Sequence, residues 1–193
     1  PSCSTPSAAC QGNAVTITGA GSTGATTYTY WTAAAPGGTQ ITTGGGYTVS
    51  GGNLTTPSSL AAGSYDFYVQ GENAALCSSL SRQKVTVTIN SLPADPTGSI
   101  SVSNNPSCGP ATLNYSSGYY WETSTSDFTT SGRGTATDYT LNSTGTMYVR
   151  AYDGTCWSAN TINTGTVTIN TAVAIGTSPS DATVTAPTTA SFS

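Results

Sequence analysis

The residues of this sequence with the richest chemistry are its five cysteines, four of which recur at matched places. Cys10 and Cys108 each precede a strand-like segment, and Cys77 and Cys156 each follow a Tyr-Val segment. Zinc sites favour C-x-x-C spacings with histidine partners, but the sequence has neither that spacing nor any histidine. The pattern therefore predicts two disulfides, Cys10–Cys77 and Cys108–Cys156, and an oxidising compartment at the cell surface or outside the cell.

Cys3 is the fifth cysteine and has no counterpart in this scheme. It can bond a partner upstream, or it can compete with Cys10 for Cys77, because Pro1-Ser2-Cys3 echoes Pro106-Ser107-Cys108. Apolar residues follow Cys10 and Cys108 at the same offsets, five and seven positions on. These matched offsets favour Cys10 as the partner of Cys77.

Catalytic chemistry has little support among the remaining polar residues. Triads of the Ser-His-Asp or Cys-His kind are excluded because the sequence contains no histidine. A glycosidase needs two carboxylates facing each other across a cleft, whereas the eight acidic residues are spread along the chain. Asp95 and Asp153 are the best candidates for calcium, but no clustered D-x-D-x-D run accompanies them. We predict no enzyme, no cofactor and no metal site.

The three tryptophans fall into two groups. Trp31 and Trp121 occupy matched places, which predicts that both are core aromatics. Trp157 is unmatched, since Ser78 stands at its place in the first half, so it is a candidate for contacting a ligand such as a sugar. Strand alternation places Tyr120 on the opposite face from its neighbours, which makes it a second candidate.

Strands, and not helices, must position these residues. Apolar residues do not recur with helical spacing, and period-two alternation is frequent between Gly- and Pro-rich turns. The alternating segments are 14–18, 65–69, 84–89, 146–150 and 166–169. Short strands, frequent turns and the order Cys, strand, Trp strand, Tyr-Val strand, Cys, strand predict tandem immunoglobulin-like β-sandwiches in an all-β chain.

The internal repeat sets the predicted domain boundaries. Val85–Asn90 closes the first repeat and Gly165–Asn170 closes the second, so we expect repeats over 1–90 and 91–170. Pro93 and Pro96 stiffen the connector between them. Residues 171–193 are predicted to be the first strands of an incomplete third repeat, or a tail that inserts as a donor strand into a neighbouring subunit.

Charge and hydropathy exclude two classes of partner. Charged residues make up 6% of the 193 residues, the net charge is −4, and the four basic residues form no cluster. Nucleic-acid binding needs a Lys/Arg footprint, which is missing here. No apolar run approaches the roughly 18 residues that span a bilayer. The chain is therefore predicted neither to bind nucleic acid nor to span a membrane.

The first repeat contains the segments Tyr28–Trp31, Gly44–Tyr47, Tyr65–Val69 and Cys77–Ser79, and the second contains Tyr119–Trp121 and Cys156–Ser158. Through these segments the sequence resembles the tandem Ig-like repeats of very large Bacteroidota cell-surface adhesins of the Flavobacterium/Cytophaga type. The resemblance covers residues 10–170. It implies export by type IX secretion, display at the cell surface, and a role in adhesion or gliding.

The sequence leaves three functions open. The first is a non-catalytic structural or adhesive segment of an extended extracellular protein or fibre, whose partners are neighbouring repeats and glycans or solid surfaces. The second is a carbohydrate-binding accessory module of a secreted polysaccharide-degrading enzyme. The third is a fibre subunit that polymerises by strand exchange.

Overall fold

The computed structural model describes residues 2–3, 6–130, 137–171 and 173, and their regular secondary structure is entirely β. No helix in these residues is long and apolar enough to cross a membrane. The strands of the first repeat are β1 (Ser2–Cys3), β2 (Ala9–Cys10), β3 (Thr16–Ala20), β4 (Thr27–Trp31), β5 (Gln40–Ile41), β6 (Thr48–Ser50), β7 (Asn53–Thr55), β8 (Gly63–Glu72) and β9 (Gln83–Asn90). The strands of the second repeat are β10 (Ser101–Val102), β11 (Ala111–Asn114), β12 (Tyr119–Glu122), β13 (Asp138–Leu141), β14 (Tyr148–Ala151) and β15 (Ile162–Asn163).

Two sheets form the first repeat, in the orders β1-β3-β7-β6 and β2-β9-β8-β4-β5. The opening segment divides between them: β1 pairs antiparallel with β3, and β2 pairs parallel with β9. The turn between β6 and β7 contains Gly51 and Gly52 at φ 57° and 77°. A two-residue hairpin turn of this kind needs positive φ at both positions, which glycine adopts without steric cost.

The second repeat follows the same plan with shorter strands. Its sheets have the orders β10-β11-β13 and β12-β14-β15. A parallel bridge joins Ser107 to Ile169, at the place where Ala9 pairs with Ile89 in the first repeat. An antiparallel bridge joins Gly145 to Val167. Residues 166–169 therefore contribute isolated bridges instead of the continuous strand that alternation predicts.

Each repeat encloses its own hydrophobic core between its two sheets. The first core consists of Val15, Ile17, Tyr30, Leu54, Phe67, Val69, Val85, Val87 and Ile89. The second consists of Ile100, Ala111, Leu113, Trp121, Leu141, Met147, Val149 and Val167. The structure thus supplies two separate cores. The division at residues 90/91 remains a prediction, as does the nature of residues 171–193, most of which lie outside the described residues.

The core aromatics correct one sequence prediction. Trp121 is 1% exposed and lies in the second core, as expected. In the first repeat Tyr30 takes that place with 0% exposure, whereas Trp31 is only half-buried and lies on the opposite face of β4. Tyr30 pairs with Val69 and Trp121 with Val149, so these two residues are the true equivalents. The prediction for Trp31 was wrong because a shift of one residue moves a side chain to the other face of a strand.

Candidate functional site at the junction of the two repeats

A disulfide between Cys10 and Cys156 joins the two repeats, with its Cα atoms 5.7 Å apart and a sequence separation of 146. Cys10 ends β2, where it lies opposite Asn90 of β9. Cys156 lies in the loop after β14, where the Asp153 carboxylate accepts its backbone N–H at 2.7 Å. The bond therefore connects the C-terminal end of the first sandwich to the β14–β15 loop of the second.

This bond corrects the predicted pairing, since Cys77 and Cys108 are free thiols in the structure. Cys77 lies in the β8–β9 loop, beside the Gln83 end of β9, whereas Cys10 lies at the Asn90 end. The eight residues of β9 separate the two ends by about 25 Å at ~3.3 Å per residue. Disulfides need Cα atoms within ~7 Å of each other, so Cys10 cannot reach Cys77.

The second predicted pair fails for the same geometric reason. Cys108 follows Ser107, which forms a parallel bridge with Ile169. This bridge places Cys108 at the C-terminal end of the second sandwich. Cys156 lies beyond the far end of β14, at the opposite end of the same sandwich. Within each repeat the two cysteines therefore occupy opposite ends. The Cys3 thiol is also free, half-buried against the first core, and burial raises its pKa.

Next to the disulfide lies a cluster of four aromatic rings. Trp157 stacks on Tyr152 with ring centroids 4.5 Å apart, and it meets Tyr120 edge to face at 5.3 Å. The Phe128 ring lies 6.1 Å from Trp157 and is 56% exposed. The structure thus brings together Trp157 and Tyr120, the two residues predicted to contact a ligand. Sequence reasoning missed Tyr152 and Phe128, although Tyr152 faces Trp157 across the bridge that closes the β14–β15 loop.

A buried arginine, Arg150, packs against this cluster. Arg150 Nε donates to Glu122 Oε2 at 3.1 Å, and these side chains are 5% and 0% exposed. Its other nitrogens donate to the backbone carbonyls of Ser158 and Thr125, both at 2.6 Å. The guanidinium carbon lies 4.7 Å from the centroid of the Phe128 ring. Because carbonyls and a carboxylate already engage it, Arg150 acts as a support for the loops and not as a receptor for an anion.

The aromatic rings and the disulfide border a cleft of about 360 Å³ between the repeats. Its lining combines residues of the first repeat, the connector and the second repeat: Cys10, Gln11, Asn13, Leu92, Phe128, Arg150, Trp157, Ser158 and Ala159. The rings of Phe128 and Trp157 supply flat apolar faces, and Gln11 and Asn13 supply amides. This combination suits a ligand with both apolar faces and hydroxyls, such as a sugar ring.

The two carboxylates considered for calcium, Asp95 and Asp153, accept hydrogen bonds from residues of the β14–β15 loop. Asp95 in the connector accepts the backbone N–H of Asn160 at 2.7 Å and its side-chain amide at 2.6 Å. These hydrogen bonds lower the pKa of Asp95, the backbone bond most strongly. Asp153 likewise has a lowered pKa because the N–H groups of Cys156 and Thr155 donate to it. Among the described residues, no group of three or more metal-binding side chains is present.

Similarity to known proteins bears on the fold. Residues 1–91 match the model of a family described as "Ig-like domain CHU_C associated". No curated protein sequence matches the chain. A structure of domains A168-A170 of titin is 18% identical over 84% of this chain and 61% of the titin chain, with a TM-score of 0.40.

Two further solved structures are similar at 12% identity. The Ig1-2 module of the Drosophila receptor tyrosine phosphatase DLAR covers 88% of this chain and 97% of its own, with a TM-score of 0.32. The match to murine CEACAM1b covers 84% of this chain and 94% of the CEACAM1b chain, with a TM-score of 0.34. The family match and the helix-free, two-sheet repeats of the described residues confirm the predicted fold: the chain is an all-β protein of Ig-like sandwiches.

Proposed function

We propose that this chain is a non-catalytic structural segment of an extended extracellular protein, in which Ig-like modules stand in a row and present a contact surface. The observation that carries the proposal is the Cys10–Cys156 disulfide, because it ties one module to the next. A bond between modules adds little to the stability of the core of either module. It limits instead how far the two can separate or unravel when the protein is pulled.

The position of the bond determines how a tensile load would travel. Force applied at the two ends of the chain passes from Cys10 directly to Cys156, so the residues between them carry none of it. Both cores lie almost entirely within that closed loop. An oxidised array would therefore keep its length under loads that unfold a single sandwich.

Single-molecule stretching of the chain held at residues 1 and 193 tests this proposal. Reduction should add about 500 Å of contour length, since 146 residues extend by ~3.3–3.6 Å each. The double variant Cys10→Ser/Cys156→Ser is the control and should show the full contour length without reductant. If the oxidised chain and this variant unravel to the same length, the segment bears no load through the disulfide and the proposal fails.

Display at the cell surface and adhesion form the rest of this proposal. The match of residues 1–91 to a family of Ig-like domains of the Bacteroidota type supports an extracellular module, as does a disulfide between modules. Type IX secretion and gliding remain expectations from the resemblance. Adhesion to glycans or hydrated solids would rely on many weak contacts along repeated modules, where avidity replaces affinity.

One observation favours a second function, that of a carbohydrate-binding accessory module. The cleft exposes Phe128 beside the stacked Trp157, and aromatic faces of this kind pack against sugar rings. Binding to insoluble cellulose and chitin tests it. Trp157→Ala should reduce the bound fraction about tenfold, the usual effect of removing a central aromatic contact. Trp31→Ala is the matched control, and equal binding by both variants and the parent would exclude the cleft.

A further inference from the structure

The two cysteines left free at the surface are the repeat counterparts of the two that are bonded. Cys77 and Cys108 are exposed thiols, whereas Cys156 is 0% exposed in its disulfide with Cys10. The bond does not join equivalent cysteines. It joins the cysteine at the end of β2 in one repeat to the cysteine of the β14–β15 loop in the next, and this offset leaves one unmatched cysteine in each repeat.

Cys77 lies in a loop built in the same way as the loop of Cys156. The Asn73 side-chain oxygen accepts the N–H of Cys77 at 2.9 Å, and the Asp153 carboxylate accepts the N–H of Cys156 at 2.7 Å. In both loops the backbone N–H of that same residue, Asn73 or Asp153, donates to the backbone carbonyl of the cysteine at 3.2 Å. Backbone bonds from Ser79 to Gly71 at 2.8 Å and from Ser158 to Ala151 at 2.9 Å close the two loops.

Cys108 lies in the same setting as Cys10. Ala9 pairs in parallel with Ile89, which places the following Cys10 opposite Asn90 at the C-terminal end of the first sandwich. Ser107 bridges in parallel to Ile169, and the N–H of Asn170 donates to its carbonyl at 2.8 Å. Cys108 therefore stands at the C-terminal end of the second sandwich, as Cys10 does on the first.

We propose that Cys77 and Cys108 are the half-cystines through which this pair of modules bonds the modules on either side. Cys108 bonds the loop cysteine of a following Ig-like module, and Cys77 bonds the strand-end cysteine of a preceding one. Every junction then carries the bond seen between Cys10 and Cys156. The array becomes a ladder in which each module is linked to the next by a peptide connector and by a disulfide. This inference rests on the proposed row of modules and adds to it the bond at each junction, and it holds whether or not the array is adhesive.

Geometry rules out a bond between Cys77 and Cys108 of the same chain. Cys77 lies at the end of the first sandwich away from the Cys10–Cys156 junction, and Cys108 lies at the end of the second sandwich away from it. They cannot reach each other within one chain. Cys3 packs against the first core and lies opposite Gly19 of β3, which leaves it half-buried. The two exposed thiols thus face outward at the two ends of the pair.

Formation of each bond needs an oxidant of the disulfide class, such as glutathione disulfide. The Cys108 thiolate attacks one sulfur of the oxidant, which gives a mixed disulfide and releases one glutathione thiolate. The thiolate of the neighbouring module then attacks the Cys108 sulfur and releases the second glutathione. The two cysteines lose two protons and two electrons in total, and both glutathione sulfurs are reduced.

A chain with one added module tests the proposal directly. Residues 1–170 are followed by a second copy of 91–193, so that the natural connector forms the new junction, and the added copy carries Cys108→Ser to make Cys108 unique. After refolding in a glutathione redox buffer, we expect two free thiols, Cys3 and Cys77, because Cys108 bonds Cys156 of the added copy. Peptide mapping should also show Cys10 bonded to the first Cys156.

The same chain with Cys156→Ser in the added copy is the matched control and should have three free thiols. Four free thiols in the test chain would overturn the proposal, as would a Cys3–Cys77 bond or a Cys108–Cys156 bond within one repeat. Neither four free thiols nor a Cys3–Cys77 bond would bear on the stretching experiment, which depends only on the bond between Cys10 and the first Cys156. A Cys108–Cys156 bond within one repeat would contradict both proposals, and the expected gain in contour length on reduction would then be absent.

A second measurement uses the chain as it is and does not need the longer one to fold. Cys77→Ser and Cys108→Ser variants, both also carrying Cys3→Ser, are mixed in equal amounts in the redox buffer. Docking of matched ends predicts that Cys77–Cys108 heterodimers outnumber either homodimer about tenfold, since the tethering of two fitted surfaces raises the effective concentration of one thiol near the other. Dimers in the statistical proportion of random coupling would overturn the proposal.

Discussion

The phenol of Tyr30 lies in the core of the first sandwich. Its ring is fully buried, and its hydroxyl donates towards the carbonyls of Ile17 at 3.0 Å and Gly52 at 2.7 Å. Burial raises the pKa of Tyr30 to about 12, so the group stays a neutral donor at physiological pH. Trp121 fills the equivalent place in the second repeat with a larger ring. The two repeats thus keep the position of the aromatic and change its chemistry.

Exchange of Trp121 and of Trp31 for alanine should have very different effects on stability. Trp121→Ala leaves a cavity in the second core and should lower the free energy of unfolding by about 3–5 kcal/mol. Trp31→Ala removes a ring that stacks against the Arg82 guanidinium, whose central carbon lies 3.6 Å from the ring centroid, and should cost about 1 kcal/mol. Urea unfolding followed by circular dichroism measures both, and equal losses would contradict the assignment of Trp31 to the outer face.

The Arg150–Glu122 pair gives a second prediction at the residue level. Glu122→Gln removes the negative charge and leaves the buried guanidinium without its counter-ion, so the free energy of unfolding should fall by about 3–5 kcal/mol. Urea unfolding again provides the measurement. The control is Lys84→Ala, which removes an ion pair with Asp66 whose side chains are 52% and 42% exposed, and it should cause no measurable loss. A similar loss in both variants would mean that burial does not set the strength of these pairs.

Strands with a clear alternating pattern were predictable, and the shortest strands were not. Alternation located β3, β8 and β9, because each runs for five or more residues with one face in the core. Strands β2, β5 and β15 each have two residues, too few to show any period. They form where neighbouring strands offer free backbone groups, which is a property of the assembled sheet and not of the local sequence. The strand that carries Cys10 is one of these.

The loop between β14 and β15 is tied to the connector through Asp95, and this contact should depend on pH. The folded pKa of Asp95 is lowered by hydrogen bonds from Asn160, relative to about 4 in the unfolded chain. Its contribution to stability is therefore complete above the unfolded pKa and disappears as the pH falls through the folded value.

Thermal unfolding at a series of pH values tests the role of this carboxylate. Asp95→Asn should unfold at a lower temperature than the parent at neutral pH. The two curves should converge only as the pH falls below the unfolded pKa and through the lowered folded pKa of Asp95, where its side chain becomes uncharged. Asp138→Asn, which removes an exposed carboxylate of β13, serves as the control. A difference that persists unchanged at low pH would assign the effect to side-chain shape and not to charge.

At the scale of the whole molecule, the disulfide pattern could not be derived from the repeat alone. Each repeat contains one cysteine at the end of its first segment and one in its last loop. The positions of the cysteines along the sequence are therefore the same whether the bonds form within a repeat or between neighbouring repeats. Cys10 and Cys156 were both among the four cysteines predicted to form disulfides, but so were Cys77 and Cys108, which are free thiols. Their pairing depends on which end of the sandwich each occupies, and that follows from the parallel pairing of the two-residue β2 with β9. Local sequence carries no signal for that pairing.

Cleavage of the connector makes the difference between the two pairings visible. A protease site inserted between Gly98 and Ser99, both exposed, allows the chain to be cut between its two cores. With Cys10 bonded to Cys156, the two fragments should stay together on a non-reducing gel and separate only after reduction, because the cut lies inside the loop that the bond closes. Bonds within each repeat would release two fragments without reductant. The Cys156→Ser variant with the same site is the control, and it should release them in either condition.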